Sequence, residues 1–244
     1  MLNANEKAVF AVDGHVHVHD EVPDLHAIVQ RISRLAPGAT PVLMLADGPR
    51  GDGFRRMKRA AQERSNRATS HDITPLLIIP GWQVVSEEGL ELLVQGVEQF
   101  ETFGAPAQSV VEAAIAQGAI VTLPWGFGKW IGKRRRLVRR LLSLYGDRVL
   151  LGDISGRPPG WAEPLLAGRP VVRGADNLRL AGNERSIGRY GSLIECTAND
   201  QASEVCLMEK MRHPTDIFRS FGTRHGLARA LMDQLRIRAS SDMA

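Results

Sequence analysis

Ala11-Val12-Asp13-Gly14-His15-Val16-His17-Val18-His19-Asp20 lies close to the N-terminus. An apolar run, Ala8-Val9-Phe10-Ala11-Val12, leads straight into it and reads as a buried strand. Side chains alternate faces along a strand, so Asp13, His15, His17 and His19 are expected on one face. Three imidazoles and a carboxylate at a strand end make a site for a divalent cation. Neutral imidazole suits zinc, manganese or iron, and the carboxylate adds negative charge. The plainer alternative is a solvated polar strand end.

Strand-like and helix-like segments alternate along the rest of the chain. Residues 24–35 and 54–66 are expected helices around a strand at 41–46. The polar loop between that strand and the second helix, Asp47-Gly48-Pro49-Arg50-Gly51-Asp52-Gly53, suits either turn chemistry or a place in the site. Strand-like pieces at 73–85 and 90–97 flank the turn Ser86-Glu87-Glu88-Gly89. A helix at 109–117 and a strand at 119–123 lead into an aromatic and glycine loop, Pro124-Trp125-Gly126-Phe127-Gly128-Lys129-Trp130. A strongly basic helix, 131–145, comes next. Two further strands end on acids, Asp153 and Asp176. A last strand is expected at 192–196, and a mostly helical tail at 202–238. Such alternation calls for a parallel sheet covered by helices, and seven or so β/α units suggest a TIM-like barrel. Working groups in such barrels stand at the C-terminal ends of strands. His15, His17, Asp153 and Asp176 all occupy that kind of position.

Composition sets limits. The 244 residues are 43% hydrophobic and 24% charged, ordinary for a globular protein. No segment reaches the apolar length of a membrane span, and the first residues show no signal-peptide pattern. Two cysteines, Cys196 and Cys206, are too few for a disulfide framework, so a cytoplasmic setting is expected. A net charge of +4 permits an anionic substrate without demanding nucleic acid. Neither a dinucleotide fingerprint nor a P-loop occurs in the right context, and there is no Gly-x-Ser-x-Gly elbow.

Asp13-Gly14-His15-Val16-His17 resembles the opening Asp-x-His-x-His motif of the PHP (polymerase and histidinol phosphatase) superfamily. The amidohydrolase superfamily opens similarly. The absence of any histidine between His71 and His213 counts against it, because that family takes ligands from middle strands. Ile79-Pro80-Gly81-Trp82-Gln83-Val84-Val85-Ser86-Glu87-Glu88-Gly89 is similar to the PHP pattern Ile-Pro-Gly-x-Glu-x-Thr-x-x-Glu-Gly. Gly174-Ala175-Asp176-Asn177-Leu178 falls where that family has Gly-Ser-Asp-x-His. The departures are Gln83 for a metal-binding Glu, Glu91 for a His, Pro124-Trp125 for His-Pro, and Leu178 for the final His.

The resemblance implies an irregular (β/α)7 barrel of the PHP type over residues 1–200, with a helical extension, 201–244, packed on it. It implies a metal-dependent hydrolase acting on a phosphoester or other small anionic substrate. The ligands carried over are His15, His17 and Asp176, with Asp13 a further candidate, enough for one zinc, manganese or iron ion. Asp176 is expected as ligand or general base, with Asp153 a second candidate for either role. His19 is expected to donate to substrate or to fix a ligand. Lys129, Arg173, Arg179, Arg185 and Arg189 are the candidate anion-binding cations. The rival reading is a catalytically reduced PHP-like module that binds partners through its basic helix and C-terminal helices.

Overall fold

The computed structural model describes residues 7–67, 74–179, 182–197, 204–225 and 232. The N-terminal run forms β1 (Lys7–Val16), and the apolar stripe after it forms α1 (Leu25–Leu35). The Asp24 carboxylate caps α1 by accepting from the His26 and Ala27 N–H groups, and Leu25, Ile28, Val29 and Ile32 are buried. Next come β2 (Thr40–Leu45), α2 (Gly53–Arg67), β3 (Leu77–Ile79), β4 (Gly81–Val85) and β5 (Glu91–Gln95). The chain continues through α3 (Ala107–Ala116), β6 (Ile120–Pro124), α4 (Gly132–Tyr145), β7 (Val149–Ile154) and β8 (Val171–Gly174). It finishes with β9 (Tyr190–Thr197), α5 (Glu204–Arg212) and β10 (Arg219–Gly222).

The expected TIM-like (β/α)7 barrel is not what these strands build. They form two separate five-stranded mixed sheets, ordered β10-β9-β1-β2-β3 and β4-β5-β6-β7-β8, and no closed barrel is seen among the described residues. The reason lies in the connections. A parallel neighbour needs a long crossover, whereas a tight turn forces an antiparallel one. Ser86-Glu87-Glu88-Gly89 is such a turn: the Ser86 N–H donates to Leu90 O at 2.8 Å and Gly89 takes φ +70°. It folds β5 back on β4, and β6 then runs antiparallel to β5. Strand β9 returns antiparallel to β1 and in turn pairs with β10. Strand β10 also lies inside the tail that the sequence reads as helical. The remainder of that tail, apart from α5, falls largely outside the described residues.

Helices α1 and α2 cover one face of the first sheet, where Ala11, Leu43 and Leu45 pack with Ile28, Ile32 and Met57. Helices α3 and α4 cover the second sheet, over Val121, Leu123, Val149 and Leu151. A third cluster is shared by both sheets: Phe10, Val12, Val42 and Met44 meet Ile120, Leu150 and Val172, and α5 adds Leu207, Met208 and Met211. The sheets also touch through polar groups. The Asp47 N–H donates to Gly81 O at 2.9 Å, and the Asp176 N–H to His15 O at 2.8 Å. None of the described helices is long and apolar enough to cross a membrane.

Candidate metal centre

Two glycines let β1 and β8 approach closely. A Cβ on Gly174 would stand 2.3 Å from the His15 nitrogen, and one on Gly14 would stand 2.2 Å from Val172 Cγ1. The register of β1 against β2 breaks between Asp13 and Val16. Ala11 and Val16 therefore both join the core beneath α1, although they are an odd number of residues apart. A bulge of this kind re-aims side chains. Asp13 does not stand with the histidines as strict alternation predicts. Its Oδ1 accepts from the Ala175 N–H at 2.7 Å and its Oδ2 from the Gly188 N–H at 2.7 Å. It clasps the loops after β8 and before β9.

His15, His17 and Asp176 do come together. One ligand atom from each lies within 4.8 Å of the others, and this is the group among the described residues that could hold a metal ion. Asp176 Oδ1 stands 3.6 Å from His15 Nε2 and 3.5 Å from His17 Nε2. Donors of a tetrahedral zinc centre, with bonds of about 2.0–2.2 Å, stand roughly 3.3–3.6 Å apart. Three protein ligands leave a position open, as catalytic sites do.

The surroundings set the ligands for that role. The His17 Nδ1–H donates to Ala46 O at 2.8 Å, and a carbonyl only accepts, so Nε2 keeps its lone pair for a cation. Asn177 grips the His17 backbone from both sides: Oδ1 accepts from the His17 N–H and Nδ2 donates to His17 O, each at 2.8 Å. Asp176 takes φ +47°, a left-handed conformation that aspartate tolerates better than most residues. Burial lowers the His15 imidazole to about 4, with Asp176 opposing and His17 assisting. Burial alone would raise Asp176. The His15 and His17 imidazoles and Lys129 outweigh it and hold the carboxyl below the usual carboxylate range. A neutral imidazole beside an ionised carboxylate is the protonation state metal ligation requires. His15 Nδ1 is buried with no hydrogen-bond partner, and His15 Nε2 meets Gln83 Oε1 at 3.2 Å. Gln83 brings an amide to the position where the resembling family has a carboxylate.

The other sequence candidates are distributed differently. The His19 Nε2–H donates to Asn177 O at 2.8 Å, and its ring stacks 5.7 Å from that of His17. Asp153 is bound on both oxygens by Arg157, at 2.6 and 2.8 Å, and accepts from the Tyr190 hydroxyl at 2.7 Å. Lys129 pairs with Glu91 and acts on both His15 and Asp176. Arg173 donates to Phe218 O at 2.7 Å, joining β8 to the segment before β10. Arg179 pairs with Asp20 at 2.5 Å on the wall of a cavity of about 680 Å³ beside His17. Arg185 and Arg189 are exposed and do not line that cavity. Asp47 spends its Oδ2 on the Phe54 N–H at the start of α2. Asn177 and the Ala46 carbonyl are the supporting groups the sequence reading missed. Asn177 directly follows the Gly-Ala-Asp turn, but its pairing with residue 17 is long-range and leaves no local signal.

No protein-family model matches this sequence, and no curated protein matches it. Among solved structures it is similar to PsfC from Pseudomonas syringae PB-5123, with a TM-score of 0.56 at 13% identity, covering 95% of this chain and 99% of that one. This similarity shows a shared fold. A second structure, the lesion-specific endonuclease PfuEndoQ from Pyrococcus furiosus, gives a TM-score of 0.48 at 14% identity, and the match covers 86% of this chain and 57% of that one.

Proposed function

We propose that this chain is a metal-dependent hydrolase of the PHP type, acting on a phosphoester or another small anionic substrate through one divalent cation. The convergence of His15, His17 and Asp176 from two sheets within 4.8 Å carries the reading. A cation there would lower the pKa of a water toward neutrality and polarise an ester oxygen. The residues supply the rest. His15 and His17 present ring nitrogens, and the Ala46 carbonyl fixes the orientation of His17. Asp176 supplies charge as a ligand. Lys129 is the cation best placed for the substrate anion. His19 and Asn177 stand on the wall of the cavity beside His17. Asp153, held by Arg157 and Tyr190, maintains the loop after β7 rather than moving protons.

One observation favours the rival reading, a catalytically reduced binding module. Gln83 and the paired Glu91 stand where a multi-metal site needs free ligands, so a second ion has little to bind. Metal analysis of protein purified without chelator separates the two. A hydrolase holds close to one equivalent, and His15→Ala with His17→Ala removes both the metal and the hydrolysis of bis(4-nitrophenyl) phosphate. Hydrolysis that survives the double substitution rules this centre out.

A further inference from the structure

We propose that Trp161 and Phe127, backed by Trp125, form a binding face for a flat heteroaromatic ring carried by the anionic substrate; this rests on the reading just given. The three rings touch one another: Phe127 and Trp161 have centroids 5.4 Å apart, Trp125 and Trp161 6.3 Å, and Trp125 and Phe127 6.4 Å. Trp125 is buried, but Trp161 is 49% exposed.

A loose loop does not account for that exposure. The Trp161 N–H donates to Pro158 O at 3.1 Å, and its carbonyl accepts from Arg157, whose guanidinium also grips Asp153. Two residues on, Glu163 takes a two-pronged bond from Arg135 of α4, at 2.8 and 3.0 Å. The backbone is pinned on both sides of the indole, so the ring is held out in water at a fixed place. A preorganised aromatic face of this kind loses little freedom on binding a second ring.

Position connects the face to the metal centre. The rings stand on the loops after β6 and β7, and β7 neighbours β8, whose loop carries Asp176. Two strand spacings separate the axes of β6 and β8 by roughly 10 Å. Lys129 belongs to the same loop as Trp125 and Phe127 and acts on both His15 and Asp176. The cavity beside His17 is lined by Asp20, Glu21, Asp24 and Glu184 against the single Arg179. An anionic group is repelled there and drawn toward Lys129, which orients the ring toward Trp161.

The test uses the full chain saturated with zinc and two phosphoesters that differ in the ring, adenosine 5′-monophosphate and ribose 5-phosphate. Calorimetry should show the ring-bearing ester binding about tenfold more tightly, the ratio that one base–aromatic stack supplies. Trp161→Ala should bring the ratio near one, and Trp161→Phe should restore part of it. Tryptophan fluorescence of the unaltered protein should be quenched by the first ester and not by the second, which serves should the variants fail to fold. Equal affinities, or a ratio that survives Trp161→Ala, overturn the ring site. Zinc titration of the same protein reports separately on the metal reading, which stands if one equivalent binds and falls if none does.

Discussion

No solvent reaches the Asp13 carboxyl, which accepts backbone N–H groups from Ala175 and Gly188 at 2.7 Å and more weakly from His15 at 3.4 Å. Burial nevertheless outweighs those bonds and pushes it up from 3.8 to about 7. A carboxyl raised in the folded state binds protons more tightly there than in the unfolded chain. Its contribution is full below about pH 4 and is lost as the pH rises through 7. His15, lowered to about 4, works the other way and favours the folded state as pH rises from 4 to 6.5. Comparing the protein with its Asp13→Asn variant cancels the histidine. In chelator, the unfolding free energy of the wild type relative to the variant should fall by a few kcal/mol between pH 4 and pH 8, read from urea titrations. A flat difference would mean that Asp13 remains ionised on its N–H donors. At this scale the sequence pointed to the three side chains that the structure brings together, His15, His17 and Asp176. Spacing by two marked His15 and His17, and the Gly-Ala-Asp turn marked Asp176. The same spacing placed Asp13 with them, because a bulge has no signature in a period-two pattern. Asp153 looked free because its partners lie in a loop, at Arg157, and in another sheet, at Tyr190.

Strands and helices were legible where their apolar periods were clean, as in α1 with Leu25, Ile28, Val29 and Ile32. Strand direction was not. Alternating elements read as all-parallel until the turn at Ser86–Gly89 and the return of β9 are weighed, and β10 is too short to stand out from a helical tail. The sheets approach closely at β1 and β8, where Gly174 leaves no room for a methyl group. Its Cβ would press on the backbone of His15, which cannot rotate away. Gly174→Ala should therefore part the two strand ends, destabilise by about 1–3 kcal/mol, and weaken zinc binding about 10–100-fold, as loss of ligand support does. Gly48→Ala is the control. It lies in the loop after β2, with nothing within 4 Å of its added Cβ and no left-handed φ. Calorimetric zinc titration of both variants decides. Equal affinity in the two would mean that the β1–β8 contact does not position the centre.

Across the whole molecule, the candidate ligands belong to different sheets. His15 and His17 sit at the end of β1 in the first sheet, and Asp176 follows β8 in the second. Between the sheets run the shared apolar cluster and scattered polar contacts, with no continuous ladder among the described residues. A cation bound at the three donors would cross-link two layers that otherwise meet mainly by packing. It would bind the assembled state alone, because the unfolded chain does not hold residue 176 near residues 15 and 17. Such binding stabilises the fold by about 2.7 kcal/mol at a hundredfold excess over Kd. For a chain of this length that raises the Tm by about 5–10 °C. Scanning calorimetry in zinc and in chelator should show that rise, and Asp176→Asn should abolish it while leaving the chelator-state Tm close to its original value. Asp176 is the informative residue because it alone supplies the second sheet's share. A zinc-dependent rise that persists without its carboxylate would place the ion on the β1 histidines alone, and the two sheets would then be held together without it.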